Sequence, residues 1–404
     1  MTAGDFPEIV LNSKKAKILT RFRHPWVFSK GLLKRPPLEP GTTVAVKDPE
    51  ANHLGWAFYH PRNNIALRLV SFGAEPPDGS FWRRRLEDAW QLRRRFLPEG
   101  TDAFRWIHGE NDGFPGLSVD VYDQLLIVQI ATSGFEQQRD QLLDLLRDIS
   151  KIEVIYEKSD THARGQEGLE PRVGFVGAKP FSPIFPFREG GVSLQLDTGY
   201  IHKTGFYLDQ APQRQWVRRF AKDLDVLDLF CYTGGFAVNA LLGGAATVTA
   251  VDASADALRQ VKEHAALNQV DQARLKTHKA DLFAALADKA SAFYREAGYD
   301  LVVCDPPSMS KQRTNVEKAL KGYRRLNRDV AGHVKSGGLL LTFSCTGLVS
   351  EKDFQQSVFL GLRDAGKSGR VVSLCHAGAD HPWLLDFPEG FYLKGLALVV
   401  QDGG

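Results

Sequence analysis

One stretch, residues 225–252 with the sequence DVLDLFCYTGGFAVNALLGGAATVTAVD, constrains the fold more than any other part of the chain. Its pattern predicts five features in this order: a buried strand (226–230), a turn with Gly234 and Gly235, a helix (236–242), a second strand (247–251) and a terminal acid, Asp252. This is the order of half a nucleotide-binding βαβ unit. The sequence therefore predicts an α/β fold.

The residues of the turn indicate which kind of ligand it binds. Glycines allow the backbone to approach a ligand closely, and an acid at the end of the second strand accepts hydrogen bonds from a ribose. The turn sequence CYTGGF lacks the three spaced glycines that seat a pyrophosphate, which disfavours a nicotinamide-dependent oxidoreductase. A ligand with a ribose but no phosphate fits better, and S-adenosylmethionine is the common one. An ordinary α/β core with an exposed Asp252 stays open at this point.

Composition limits the other classes. A chain of 404 residues should form two or three domains, and a net charge of only +3 means that any RNA surface depends on local clusters of basic residues. The four cysteines show no CxxC spacing, which predicts reduced thiols in the cytoplasm and no metal site. The first residues, MTAGDFPEIV, predict no signal peptide, and no segment predicts a membrane span.

The N-terminal region, residues 8–72, alternates short apolar runs with turn residues, which predicts a small all-β barrel. Basic and aromatic residues are interleaved there, a mixture that contacts phosphates and stacks on bases. They are Lys14, Lys15, Lys17, Arg21, Arg23, His24 and Trp26. Aromatic residues in this region, such as Trp26 and Phe28, are also typical of a core.

A linker at 73–80 precedes the sequence FWRRRLEDAWQLRRRF, which predicts an amphipathic helix. Its apolar stripe comprises Trp82, Leu86, Ala89, Trp90 and Phe96, and Arg93 intrudes on that face. The other arginines fit either a solvated surface or an RNA contact. Residues 104–186 then alternate strand patterns with one helix from 136 to about 148, which predicts a second, α+β domain without catalytic spacing.

Polar residues precede the βαβ unit in the segment 192–214. They are Lys203, Tyr207, Asp209 and Gln210. Either a hairpin lid over a cofactor or a plain hairpin with exposed polar groups fits this pattern.

Downstream of Asp252 the α/β pattern continues with a helix (255–268) and a strand (274–278) followed by Asp281 and Leu282, which are placed to hold an adenine. The next strand ends in Asp305-Pro306-Pro307, and the strand after it ends in Cys345. Since open α/β folds bind ligands at the carboxyl ends of their strands, acid and thiol should face one pocket. The two prolines hold Asp305 rigidly. Cys304, inside its strand, is expected to be buried, and Cys345 to be the nucleophile.

Several motifs resemble one family, the bacterial 23S ribosomal RNA cytosine-C5 methyltransferases that contain a PUA domain. The motifs are RHPWVFS (23–29), TGFYLDQ (204–210), YTGGFAVNAL (232–241), DPPS (305–308), LLTFSCTGL (340–348), ADHP and PEGFYLKG. They extend over nearly the whole chain. Many related enzymes carry a second cysteine after the acid motif, where this chain has Ser308, as in the one-cysteine subgroup.

The resemblance implies an α/β protein with an N-terminal PUA-like β-barrel (1–75), a central α+β domain (76–190) and a Rossmann-like class I methyltransferase domain (191–404). It further implies S-adenosylmethionine as cofactor, 23S rRNA as partner and a homodimer. The catalytic residues would be Cys345 and Asp305. The cofactor contacts would be Tyr232, Thr233, Gly234, Gly235, Asp252, Ala253, Asp281, Leu282, Asp305 and Gln210.

Two other functions remain open from the residues. An RNA N-methyltransferase acting on guanine or adenine would use Asp305 to orient an amine and leave Cys345 inert. A non-catalytic RNA-binding protein with the same fold would use neither. The three hypotheses differ at the thiol, because only the C5 mechanism needs it.

Overall fold

The structure, a computed structural model, describes residues 6–180, 182–310 and 313–403. The chain divides into two compact units. The first comprises Met1–Arg188, Leu196–Phe206 and Ala379–Gly390, and the second comprises Glu189–Gln195, Tyr207–Gly378 and Phe391–Gly404. The division into three domains at 75 and 190 stays a prediction. In the described residues no helix is long and apolar enough to cross a membrane.

The N-terminal part of the first unit contains a five-stranded sheet with the order β1-β3-β4-β5-β2. The strands are β1 (Glu8–Val10), β2 (Trp26–Phe28), β3 (Thr42–Lys47), β4 (His53–Tyr59) and β5 (Ile65–Ser71). β1 pairs with β3 in parallel, and the other pairs are antiparallel. These strands lie within 8–72, where the sequence alternates short apolar runs with turn residues.

The prediction that this region is all-β is wrong, because a helix, α1 (Ser13–Phe22), lies between β1 and β2. The Asn12 side chain caps it by accepting a hydrogen bond of 2.9 Å from the Lys15 backbone N–H. Ala16 and Leu19 are buried on one side of the helix. Lys14, Lys17 and Arg21, at positions that share the other side, are exposed and form a basic stripe.

The predicted arginine-rich helix is α2 (Gly79–Phe96). Trp82, Leu86 and Ala89 are buried as predicted, whereas Phe96 is 54% exposed, which corrects its place on the apolar stripe. Phe96 is the last residue of the helix and lies outside the buried part of its apolar stripe. The intruding Arg93 is fully buried because Asp112 accepts two hydrogen bonds from its guanidinium, at 2.6 and 2.7 Å.

The first unit also contains a second five-stranded sheet with the order β10-β9-β8-β7-β6. Its strands are β6 (Ala103–His108), β7 (Leu117–Tyr122), β8 (Leu125–Ile130), β9 (Val154–Ser159) and β10 (Arg172–Phe175). The predicted helix at 136–148 is two helices, α3 (Ser133–Gln137) and α4 (Arg139–Ser150), and α5 (His162–Gln166) follows β9. A two-stranded sheet of β11 (Ile184–Glu189) and β12 (Val192–Asp197) comes next in the chain.

The second unit is built on a seven-stranded sheet with the order β15-β14-β13-β16-β17-β19-β18. The strands are β13 (Asp225–Leu229), β14 (Thr247–Asp252), β15 (Leu275–Lys279), β16 (Tyr299–Cys304), β17 (Val334–Ser344), β18 (Lys367–His376) and β19 (Lys394–Asp402). The helices are α6 (Ala211–Phe220), α7 (Gly235–Leu242), α8 (Ala255–Leu267), α9 (Leu282–Ala285), α10 (Val316–Ala331) and α11 (Glu351–Asp364). The strands β13 to β17 are parallel, and β19 is antiparallel to both of its neighbours.

The sheet has helices on both faces because its central strands are apolar on both sides. Leu227 and Val302 belong to one hydrophobic cluster, with residues of α10 and α11, and Val226 and Val303 belong to another, with residues of α6, α7 and α8. Alternation along each strand sends neighbouring side chains into opposite layers. The α/β architecture is confirmed, and β13, the first strand of the sheet in the chain, pairs with both β14 and β16.

Candidate active site

The turn between β13 and α7 has an unusual backbone. Phe230, Tyr232 and Gly234 have positive φ angles of 60°, 48° and 81°. A Cβ atom on Gly234 would lie 2.7 Å from Cγ1 of Val261 in α8, so only glycine permits this close approach. Residues other than glycine seldom adopt positive φ angles, because this backbone conformation is strained unless the surrounding structure stabilises it. Two such residues, Phe230 and Tyr232, occur in this turn, which marks it as a functional turn.

Asp252, at the end of β14, fixes this turn. One carboxylate oxygen accepts a hydrogen bond of 2.9 Å from the Tyr232 N–H, and the other accepts one of 2.9 Å from the Ser254 N–H. Each carboxylate oxygen has a second lone pair. The predicted ribose acid therefore lies directly beside the glycine turn, with acceptor capacity for hydroxyl groups.

Two buried oxygen atoms near the turn have no hydrogen-bond partner among the residues described: Asp228 Oδ1 and Thr233 Oγ1. The other oxygen of Asp228 accepts a 3.0 Å hydrogen bond from the Ala237 N–H. Burial raises the pKa of Asp228 well above its usual range, and the charges of Asp305 and Asp252 act in the same direction. Orphaned acceptors of this kind fit a ligand that carries donors, and S-adenosylmethionine carries an ammonium group and two ribose hydroxyls.

Asp228 was not among the residues predicted for the site. The available signal was a single acid inside an apolar strand, VLDLF, where a charged side chain is rare unless it is used. An isolated polar residue in a strand is also compatible with one exposed face. Only the burial of both faces of β13 distinguishes the two cases.

The residues predicted to hold an adenine are placed differently from one another. The Asp281 carboxylate accepts a 3.1 Å hydrogen bond from the Phe283 N–H and so caps α9. Asp281 is exposed. Leu282 is buried in the hydrophobic core, and Ala253 is exposed. Contacts of these three residues with a cofactor remain proposals.

Asp305 and Cys345 follow neighbouring parallel strands, since β16 pairs with β17 and Cys304 is in register with Thr342. The Gln210 side-chain amide donates a 3.0 Å hydrogen bond to Asp305 Oδ2. The preceding residue, Asp209, accepts a 2.5 Å hydrogen bond from the Tyr392 hydroxyl. Leu208–Gln210 form a 3-10 turn, so these polar residues belong to neither of the two hairpins considered from the sequence.

Tyr207 connects the acid, the thiol and the glycine turn. Burial raises the pKa of Tyr207, and the nearby Tyr232, Asp305 and Cys345 raise it further in that order. The rings of Tyr207 and Tyr232 are 5.4 Å apart in an edge-to-face arrangement. The groups predicted from separate motifs therefore interact within one site in the second unit.

The four cysteines, all in the described part of the chain, differ in exposure. Cys345 is half-buried, whereas Cys231, Cys304 and Cys375 are buried. Burial raises the pKa of Cys231 and of Cys304, and raises that of Cys375 to about 11. Since the thiolate is the nucleophilic form, the three buried thiols are poor nucleophiles, and the predicted burial of Cys304 is confirmed.

The loop that carries Cys345 is held by hydroxyl groups. Tyr323 OH lies 2.8 Å from Thr346 Oγ1, and the Ser344 hydroxyl donates to Tyr323 OH at 2.9 Å. Ser308 Oγ lies 3.3 Å from Thr346 Oγ1. The position that carries a second cysteine in many related enzymes thus lies next to the Cys345 loop.

Comparison with protein families gives two matches. Residues 104–355 match the family described as S-adenosylmethionine-dependent methyltransferase, and residues 9–72 match the PUA-like domain. These matches confirm the predicted cofactor, the enzyme class and the PUA-like N-terminal region.

Comparison with individual proteins also identifies methyltransferases. The chain is 39% identical to a protein of Alteromonas mediterranea named ribosomal RNA large subunit methyltransferase I, over 98% of this chain and 99% of that one. It is 36% identical to a protein of the same name from Klebsiella pneumoniae, over 99% of this chain and 100% of that one. The crystal structure of SMU.776 complexed with SAH has the same fold, with a TM-score of 0.83, 20% identity and coverage of 97% of this chain and 100% of that one.

Replacing Asp252 with alanine is expected to weaken S-adenosylmethionine binding by about 1–3 kcal/mol, the usual scale for loss of a charged hydrogen-bond acceptor. Calorimetric titration measures the affinity. Asp256→Ala is the matched control, since it removes the same charge from an exposed position in the first turn of α8. Equal affinities of the two variants would contradict the ribose assignment.

Proposed function

The chain belongs to the S-adenosylmethionine-dependent methyltransferase family, and on this premise we propose that it methylates carbon 5 of a cytosine in 23S ribosomal RNA. The observation that carries the proposal is the half-buried Cys345 beside Asp305, at the ends of adjacent parallel strands. The name of the relatives, ribosomal RNA large subunit methyltransferase I, supports the RNA, and the resemblance of the motifs supports the cytosine.

The chemistry explains why a thiol is needed at this place. Carbon 5 of cytosine is a poor nucleophile. Attack of the Cys345 thiolate on carbon 6 forms an S–C6 bond and moves electron density to carbon 5. Carbon 5 would then accept the methyl group as its bond to the sulfonium sulfur breaks and that sulfur becomes a thioether. Loss of the proton from carbon 5 restores the double bond and expels the thiolate. The cysteine is regenerated, and the net change is replacement of one hydrogen by methyl.

Asp305 is proposed to orient the cytosine. Its carboxylate is held by the Gln210 amide and by the rigid Asp-Pro-Pro sequence. It is placed to hydrogen-bond the ring N3 or the exocyclic amine, which favours attack at carbon 6. The amide nitrogen of Gln210 is therefore used to hold Asp305. The proposed contact of Gln210 with the cofactor would come from its amide oxygen, Oε1, which is buried and has no hydrogen-bond partner in the described residues.

The cofactor supplies an electrophilic methyl group on a sulfonium. On the protein side, Asp252 would hold the ribose hydroxyls, and the turn from Tyr232 to Gly235 would bring backbone close to the nucleoside. Asp228 and Thr233 offer buried acceptors. Asp281, Leu282 and Ala253 are proposed to contact the adenine end.

The target base must leave its stack, or already be unpaired, to reach a thiol at the mouth of a strand. The basic stripe of α1 is proposed to contribute phosphate contacts. Lys14, Lys17 and Arg21 are exposed, and none pairs with an acid in the part of the chain that the structure describes. In contrast, Arg83 and Arg84 of α2 pair with Asp148 and Glu75, which favours the solvated surface for that helix. A cytoplasmic location and a homodimer complete the proposal.

Cys345→Ala is expected to bind S-adenosylmethionine as the wild type does and to lose methylation of 23S rRNA, because no other thiol is accessible. Transfer of a radiolabelled methyl group measures the activity. Ser308→Ala, Cys304→Ala and Cys375→Ala are the controls and should remain active. A Cys345→Ala protein that still methylates RNA would favour an N-methyltransferase.

Replacing Lys14, Lys17 and Arg21 together by alanine is expected to weaken RNA binding and to lower the slope of log affinity against log salt by about 2–3, since each lost phosphate contact removes nearly one counterion. Binding is measured at several salt concentrations. The control removes the same charge from three cations that pair with acids: Arg83, Arg84 and Lys151. A slope that changes equally in both triple variants would contradict the assignment of the RNA contact to α1.

A further inference from the structure

A lysine is buried next to the loop that carries the proposed nucleophile. Lys394, the first residue of β19, is 2% exposed and is in register with Ser344, the last residue of β17. Its ammonium donates hydrogen bonds to the carbonyl oxygens of Thr346, at 2.8 Å, and Val349, at 2.7 Å. It forms no ion pair with a carboxylate in the described parts of the chain. Burying an ammonium without a counter-charge is costly.

The two residues that flank Cys345 are both tied to Lys394. Ser344 is its partner in the sheet, and Thr346 accepts one of its hydrogen bonds. Tyr323 contacts the same two flanking residues through its hydroxyl group. Cys345 therefore lies between two residues that Lys394 and Tyr323 both contact.

We propose that Lys394 is a positioning residue for Cys345: it fixes the loop 345–349 and supplies the positive charge that stabilises the Cys345 thiolate. This inference rests on the proposed function, because it assigns Lys394 a role toward the nucleophile of that reaction. An opposite charge within a few ångströms favours the charged form of a thiol. The missing counter-charge of the buried ammonium would then be the thiolate itself.

The charges around the pair agree with this role. Burial lowers the pKa of Lys394 to about 8, and the charges of Cys345 and then Glu351 act in the opposite direction. Lys394 is therefore still mostly protonated at pH 7, and it loses its charge as the pH rises through about 8.

The phenols of Tyr207 and Tyr323, which interact with Cys345, do not supply a positive charge. Burial raises the pKa of both Tyr207 and Tyr323, so both phenols are neutral at pH 7. On the neighbouring strand, His376 is in register with Lys394, and its Nε2 lies 3.6 Å from a carboxylate oxygen of Glu351. Within the described part of the chain, Lys394 is thus a cation that donates directly to the backbone of the Cys345 loop.

The test is the pH dependence of Cys345 alkylation by iodoacetamide in the full chain, without RNA or cofactor, read at the Cys345 peptide by mass spectrometry. Lys394→Met is expected to raise the midpoint by about one pH unit or more and to lower the rate at pH 7 about tenfold. Lys394→Arg retains a charge, and its midpoint should lie below that of Lys394→Met. A merely structural lysine would not shift this midpoint.

The matched control is Lys367→Met. Lys367 is a partly buried lysine whose pKa is also lowered by burial, and its ammonium also donates to a carbonyl, that of Val334. It lies at the opposite end of β18 from His376, far from Cys345. Its replacement should leave the alkylation midpoint of Cys345 unchanged.

Three outcomes separate the possibilities. An equal midpoint in wild type and folded Lys394→Met overturns the inference. If Lys394→Met does not fold, the wild-type midpoint decides, because the inference requires a value below the ordinary thiol pKa of about 8.5. Methylation by Cys345→Ala overturns the proposed function and leaves the alkylation result intact, so the two failures are distinguishable.

Discussion

The pairing of β13 with β14 on one side and β16 on the other is the constraint on which the rest of the site depends. Because the strand order reverses at this strand, the connections that follow these strands leave in opposite directions and open a crevice at their carboxyl ends. The glycine turn follows β13, Asp252 ends β14, and Asp305 follows β16. Cys345 follows β17, the next strand along. Residues from four separate motifs therefore meet at the carboxyl ends of these parallel strands.

The sequence predicted the second unit well, because its strands are continuous apolar runs punctuated by glycine, proline and acids. The first strand, the helix and the second strand of the opening βαβ unit were placed to within a residue or two at each end. The N-terminal region was predicted less well. In α1, four basic residues concealed the helical spacing of the two buried residues, Ala16 and Leu19, so the sequence pattern indicated a polar connection between strands.

The site residues differ in the same way: some could be predicted from the adjacent sequence, and others depend on residues far away in the chain. Asp252, Asp305 and Cys345 each follow an apolar strand, so their position was readable from the chain alone. Asp228, Tyr323 and Lys394 were missed, because their importance comes from partners far away in sequence. Lys394 and Thr346 are 48 residues apart, and only the antiparallel register of β17 and β19 brings them together. Register is set by tertiary packing, which a single sequence does not show.

The central claim is that Cys345 forms a covalent bond to carbon 6 of a cytosine. The most direct measurement uses target RNA with 5-fluorocytidine, incubated with the protein and S-adenosylmethionine and separated under denaturing conditions. Fluorine does not leave carbon 5 as a proton does, so the bond to the enzyme cannot be released after methyl transfer. The account predicts a stable RNA–protein adduct for the wild type and none for Cys345→Ala. A wild-type protein that methylates unmodified RNA but forms no adduct with the fluorinated RNA would contradict it.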